Sequence, residues 1–334
     1  MEASKNILSI FILFVLCFPM LMYAQKKVEY GGYFEIGGKS KYKDIYTESF
    51  YRAKLEYKLK INDFTKIELD IRANSENHQI ELYEASASFK FSPGVKLEVG
   101  NLKKRYGLEE QISHEKLTTI NESMINDYLE PLGFVSRDPG VQLYWDDKED
   151  KTTIIGGLHY NESHRFTILA QIKRKGLFGL KQVGAGFQLA RERDNELQHT
   201  YIASVDAAQD FGSFHSEFEI FTGQDPIESY YRRISGNNGM VNFFGVKTLL
   251  AKKFFINSKI FTCIEPLFLG SFLVKDVDEF DVNSFQLLFG CNIYLDEDIR
   301  LMINGDLMLT NHDYDKDERT MYGSNVAAQL QIRW

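Results

Sequence analysis

The sequence predicts an all-β fold, a transmembrane antiparallel β-barrel of about sixteen strands behind a cleaved N-terminal signal peptide. Three observations lead there. Apolar and polar residues alternate with period two along most of the chain. The connections between the alternating runs sort into a short set and a long set. The final stretch, NVAAQLQIRW, keeps its alternation to the last residue, Trp334, where a soluble domain usually frays.

The compartment is read first. Lys5 is followed by ILSIFILFVLCFPMLM and then by YAQ. A charged start, an apolar core and a small residue before the cut describe a secretory signal. Cleavage is placed after Ala24, giving a signal peptide at 1–24 and a barrel at 25–334. An uncleaved anchor is the alternative, and Pro19 with the polar, strand-like sequence that follows argues against it. Cys17 has no small residues before it, which disfavours a lipoprotein cut. Cys263 and Cys291 then remain, too few for a disulfide framework. A cross-strand contact between them is open, and isolated thiols are the simpler reading.

The strands follow in order. In FYRAKLEYKLKI, Tyr51, Ala53, Leu55, Tyr57, Leu59 and Ile61 share one face, and Arg52, Lys54, Glu56, Lys58 and Lys60 the other. TKIELDIRAN opposes Ile67, Leu69, Ile71 and Ala73 to Glu68, Asp70, Arg72 and Asn74. SASFKF (86–91), RFTILAQIK (165–173), SFQLLFGCNIYL (284–295) and IRLMINGDLML (299–309) repeat the pattern. Runs of ~9–15 residues are long enough to cross a bilayer when tilted. Tight turns fall at 62–64, 92–94, 146–151, 209–212 and 295–298; long loops fall at 105–138 and 223–239, with shorter ones near 40–47, 276–282 and 311–319. The only stretch with a hint of helical period lies within 109–130. A soluble β-sandwich would alternate in the same way. The signal, the sorted loops and the terminal aromatic favour a closed barrel, which also removes the sheet edges.

Composition excludes other classes. A net charge of -8 leaves no basic face for general nucleic-acid binding. The mean hydropathy is mildly polar, against a bundle of membrane helices. GGKS at 37–40 lacks the first glycine of a phosphate loop, because Tyr33 stands there. SHEKLTT at 113–119 has no second histidine at zinc-protease spacing. No motif calls for a metal or cofactor, and no nucleophile has a placed base.

The stretch ELYEASASFKFSPGVKLEVGNLKKRYGLEE (81–110) resembles the phosphate-selective porin O and P family of bacterial outer membranes. The match lies in Gly100, Lys103, Tyr106, Gly107, Leu108 and Glu109, followed after a long loop by Arg137, Gly140 and Val141. It covers about 80–145 and is only architectural elsewhere. The resemblance implies a sixteen-stranded porin in a Gram-negative outer membrane, a homotrimer, with its third outer loop, 105–138, folded inward as the constriction. Bacterial outer-membrane barrels commonly end in an alternating strand with a terminal Phe or Trp that the barrel-assembly machinery recognises. Trp334 is therefore the candidate assembly signal, with a plain girdle aromatic as the alternative.

The expected function is passive diffusion of small hydrophilic solutes or ions, anions such as phosphate among them, with no catalytic residue. A barrel hydrolase built from loop residues and a plugged structural or adhesive barrel are the alternatives. Candidate pore residues are Lys103, Lys104, Arg105, Glu109, Glu110 and Arg137, with Arg52 and Lys54 on the wall. Lys103 to Arg105 have a second reading, an interfacial cluster binding lipopolysaccharide phosphates. Arg52 and Lys54 have one too, since Glu68 and Asp70 on the next strand can pair with that basic face. The chain also departs from the family. Arg105 stands where a small residue or proline is common. Loop 105–138 sets Glu109, Glu110, Glu115, Glu122, Asp127, Glu130 and Asp138 against Arg105, Lys116 and Arg137, a balance that favours cations.

Overall fold

The computed structural model describes residues 28–334 apart from 42–46, 77, 161–164, 193–198, 237–238, 257, 259, 279–282 and 311–323. The signal peptide and its cleavage point lie outside the described residues. The first half of the chain supplies β1 (Val28–Lys41), β2 (Thr47–Lys60), β3 (Thr65–Asn74), β4 (Gln79–Ser92), β5 (Val95–Lys103), β6 (Arg137–Asp147), β7 (Thr152–Tyr160) and β8 (Arg165–Lys175). The second half supplies β9 (Gln182–Glu192), β10 (His199–Phe211), β11 (Phe214–Asp225), β12 (Val241–Lys252) and β13 (Phe254–Phe255). It ends with β14 (Cys263–Val274), β15 (Asn283–Tyr294), β16 (Ile299–Thr310) and β17 (Asn325–Arg333).

Each strand pairs antiparallel with its sequence neighbour, and β1 pairs with both β2 and β17, so the sheet closes. Of the seventeen strands among the described residues, β13 has two residues and extends the pairing of β14 beyond β12, which leaves sixteen full staves. Among the described residues no helix is long and apolar enough to cross a membrane. The strands would make the crossing.

The alternation sets the faces as the sequence predicts. Leu55 is 44% exposed on the outside, and its neighbour Lys54 is 5% exposed toward the lumen. On β17, Val326 and Ile332 face out while Ala327, Gln329 and Gln331 are buried inside. A register slip of one residue would exchange these sets. At the chain end, the Trp334 N–H donates to the Gly32 carbonyl and the Gly32 N–H to the Trp334 carbonyl, both at 3.2 Å. The indole crosses Gly32, where any Cβ would come within 2.8 Å of the ring. Glycine is required there by close approach.

One expectation is corrected and one open alternative is resolved. The loop at 223–239 is shorter than expected, because β11 runs on to Asp225 and a helix, Pro226–Ile234, follows. Asp225 accepts the N–H groups of Ile227 and Glu228, each at 2.9 Å, and Pro226 starts the first turn. That is an ordinary N-terminal cap. Cys263 and Cys291 are isolated thiols, as the simpler reading has it: in register Cys263 opposes Tyr294 and Cys291 opposes Pro266. Both are free, and Cys291 shares the outward face of β15 with Phe289 while Cys263 is buried on the inner face of β14.

A second layer lies inside the barrel. The segment between β5 and β6 turns into the lumen and carries the helix α1 (Met124–Leu129). Its residues Tyr106, Met124, Ile125, Tyr128, Leu129, Leu132, Phe134 and Val135 form one buried cluster with Leu169, Ala190, Ile202, Phe221, Phe243 and Leu273 of the wall. Burying a side chain of this size contributes about 1.5–3 kcal/mol. The loop is thus held on the β8–β14 wall by an apolar core, and open volume is left on the opposite side, beside β1–β6 and β15–β17.

Candidate functional site: the lumen beside the inward loop

Buried loop backbone needs partners, since orphaned N–H and C=O groups are costly away from water. Wall side chains supply them. The Ile120 N–H donates to Asn304 Oδ1 at 2.7 Å and the Met124 N–H to Gln286 Oε1 at 2.9 Å. Asn292 Nδ2 donates to the Thr118 carbonyl, Arg300 to that of Glu115 and Gln188 Nε2 to that of Phe134. Ser123 caps α1 and accepts the N–H of Asn126. Gly107 makes the inward bend with φ +72°, a conformation that glycine adopts without strain.

Two chambers remain between the loop and the wall, the larger beside β1–β4 and β15–β17 and the smaller beside β2–β6. The larger, about 680 Å3, opens toward the loop end of the barrel and is lined by Lys39, Arg52, Arg72, Glu76, Tyr83, His114, Glu122, Asp127, Glu130 and Asp306 among others. The smaller, about 170 Å3, is lined by Lys54, Lys58, Asp70, Arg72, Glu84, Lys103, Arg105, Glu110 and Arg137 among others. Arg72 lines both, so the chambers adjoin at its side chain.

At that junction the Tyr83 ring lies between two guanidinium groups. Arg72 sits 3.6 Å from its centroid and Arg137 3.9 Å. Each arginine also holds a carboxylate: Arg72 reaches Asp70 at 3.2 Å, and Arg137 Nε donates to Glu84 at 3.3 Å. Stacking on the ring adds to each ion pair.

The predicted residues divide. Arg52 lines the large chamber and reaches Glu76 at 2.6 Å. Lys54, Lys103, Arg105, Glu110 and Arg137 line the small one. Lys54 stands 3.6 Å from both Asp70 and Glu115, and Lys103 stands 3.5 Å from Glu110. Two residues are corrected. Lys104 is fully buried against Asp138 at 2.6 Å and the Gly133 carbonyl at 2.7 Å, so it pins the root of the loop and does not face the chambers. Glu109 lies on the far side of the loop, 2.9 Å from Lys247 of β12. Burial pushes the Glu109 carboxyl up, but Lys247 and then Ser123 outweigh it and hold it below the usual range.

Other residues line the chambers beyond those the sequence points to. Arg72 was readable, because it falls on the inward row of β3. Tyr83 was not. By alternation it belongs with Ala85 and Ala87 on the outer face, but the β3–β4 register shifts there, so that Asp70 opposes Glu84 and Ile71 opposes Leu82. The extra residue of this bulge turns inward. The loop side of the large chamber is acidic. Burial, then Glu110 and Glu109, push the Glu122 carboxyl up to about 7. Burial and Glu122 raise Asp127 in the same direction.

Comparison with known proteins agrees with this architecture. Residues 23–167 match the family model described as phosphate-selective porin O and P, a span that includes β1 to β7 and the whole inward loop. No curated protein matches the chain. Among solved structures, the trimer form of OmpT, an outer membrane protein of Vibrio cholerae, is similar with a TM-score of 0.64 at 11% identity, covering 92% of this chain and 99% of that one. OmpF of Salmonella typhi in complex with daunomycin gives 0.64 at 10% identity, covering 92% and 98%. The anion-selective porin of Comamonas acidovorans gives 0.56 at 11% identity, covering 92% and 99%. At such identities the likeness establishes the fold.

Proposed function

Given a closed barrel whose residues 23–167 match the phosphate-selective porin O and P family, we propose that this chain is an outer-membrane porin. It passes small hydrophilic solutes and ions by passive diffusion, and no bond is made or broken. The observation that carries the reading is the pair of polar chambers that adjoin at Arg72. Loop 105–138 acts as the constriction, because its core against β8–β14 confines passage to the opposite side, beside β1–β6 and β15–β17.

Phosphate is not a dedicated solute in this reading. Lys39 and Arg52 share Glu76, Arg72 has Asp70, Lys103 has Glu110 and Arg137 has Glu84. Paired cations attract anions weakly, while Glu122, Asp127 and Glu130 bias the wider chamber toward cations as they ionise. Outside the pore, the outward apolar face meets lipid and lipopolysaccharide, and Trp334 is the signal read by the assembly machinery. A homotrimer is supported by the trimer form of the Vibrio cholerae protein. Residues 1–24 are removed on export.

Single-channel recording in planar bilayers tests the reading. Refolded protein should give discrete open steps with a weak preference for cations in a salt gradient. A silent bilayer from protein that is demonstrably folded would mean that the lumen is plugged and the barrel structural.

A further inference from the structure

The sequence signature Gly107-Leu108-Glu109 has a physical role that the pore lining does not explain. Its residues touch no chamber wall on the β1–β6 side. They meet the opposite wall. Lys247 is 2% exposed and pairs in register with Glu219 on the next strand, with their charged atoms 2.5 Å apart. The same ammonium reaches Glu109 of the loop at 2.9 Å. The N–H of Leu108 donates to Glu219, and a Cβ on Gly107 would come within 2.9 Å of that carboxylate. From Glu109 the network continues into the loop: its carboxylate accepts the Ser123 N–H at 2.7 Å and the Ser123 hydroxyl at 2.6 Å.

Ser123 is the N-cap of α1. Beyond it, Asn126 Nδ2 donates to Glu110 and to Glu122, the carboxylates that face the chambers. One buried lysine therefore ties both the start of the loop and the start of its helix to the wall. Without it, two carboxylates would be buried side by side with no counter-charge, a strongly destabilising arrangement that a shift of the loop would relieve.

We infer that Lys247 is the positioning residue of the constriction: through Glu109 and Ser123 it fixes how far the loop stands from the β1–β6 wall, and so sets conductance and ion preference. The inference rests on the channel reading and deepens it. Lys247 need never meet a solute. This also accounts for a lone lysine on an inward row otherwise made of Val241, Phe243, Gly245, Leu249 and Ala251.

The test compares Lys247→Met, Lys247→Arg and Glu109→Ala in folded protein reconstituted in bilayers. Lys247→Met should change unitary conductance by roughly twofold, shift the reversal potential and add flicker, because the narrowest section is no longer fixed. Lys247→Arg should restore steady openings. Glu109→Ala guards against a folding failure, since it leaves the Lys247 and Glu219 pair intact on the wall and the apolar core of the loop in place while removing the link from Lys247 to Ser123; it should reproduce the Lys247→Met record. A purely stabilising role would lower the unfolding temperature and leave conductance and reversal potential unchanged. Wild-type records from Glu109→Ala would overturn the inference. Silence from the wild-type protein would instead overturn the channel reading beneath it.

Discussion

At the scale of single residues, Glu122 is the group whose chemistry is set most clearly by its surroundings. It faces the large chamber, accepts a hydrogen bond from Asn126, and is pushed up to about 7 by burial and by Glu110 and Glu109. A carboxyl raised in the fold keeps its proton while the unfolded chain gives its own up. Its contribution to stability is therefore undiminished below about 4.5 and declines as pH rises toward about 7. The same titration charges the pore. Cation preference measured as a reversal potential should increase as pH rises through about 7, and Glu122→Gln should remove that step; an unchanged pH profile in the variant would place the titrating group elsewhere. None of this was readable beyond the acid count of the loop. Which carboxylates face the chambers and which, like Glu109, turn to the wall depends on contacts between residues far apart in sequence.

At the scale of elements, strands were legible and their irregularities were not. TKIELDIRAN is β3 from end to end, because strict alternation admits one register once a face must be apolar. The bulge at Tyr83 coincides with a change of phase, from Ile80 and Leu82 to Ala85, Ala87 and Phe89, but which residue is the extra one shows only when β3 and β4 are paired. The helix Pro226–Ile234 did carry a local signal, Asp then Pro, but nine residues are too few for a period to stand out in a loop. The last strand makes the clearest element-scale prediction. Trp334 closes β17 onto β1 through two backbone hydrogen bonds and lies over Gly32. Trp334→Asp should sharply reduce the folded fraction in outer-membrane preparations, measured by heat-shifted mobility. Phe178→Asp, at an aromatic 88% exposed in the turn between β8 and β9, should assemble normally. Equal losses in both would reduce Trp334 to one girdle aromatic among several.

At the scale of the whole molecule, the loop touches both sides of the line where the barrel closes. Ile120 packs with Phe50 of β2, Met302 of β16 and Ala327 of β17. His114 lies 3.6 Å from Glu35 of β1, while the α1 cluster grips β8 to β14. Excising 109–130 should therefore raise conductance and also slow refolding into detergent; a faster or unchanged refolding rate would contradict this. The reason is topological. Tyr33 must find Arg333 across nearly the whole chain, and a contact that distant is slow to form by free search. A segment already docked on the middle strands, with its other side shaped to receive β1, β2, β16 and β17, brings the two ends together as a former inside a hoop. The width of the passage and the ease of closing the ring are then set by the same segment, 105–138, a loop far longer than a mere connection needs. Neither property can be altered by shortening that segment without altering the other.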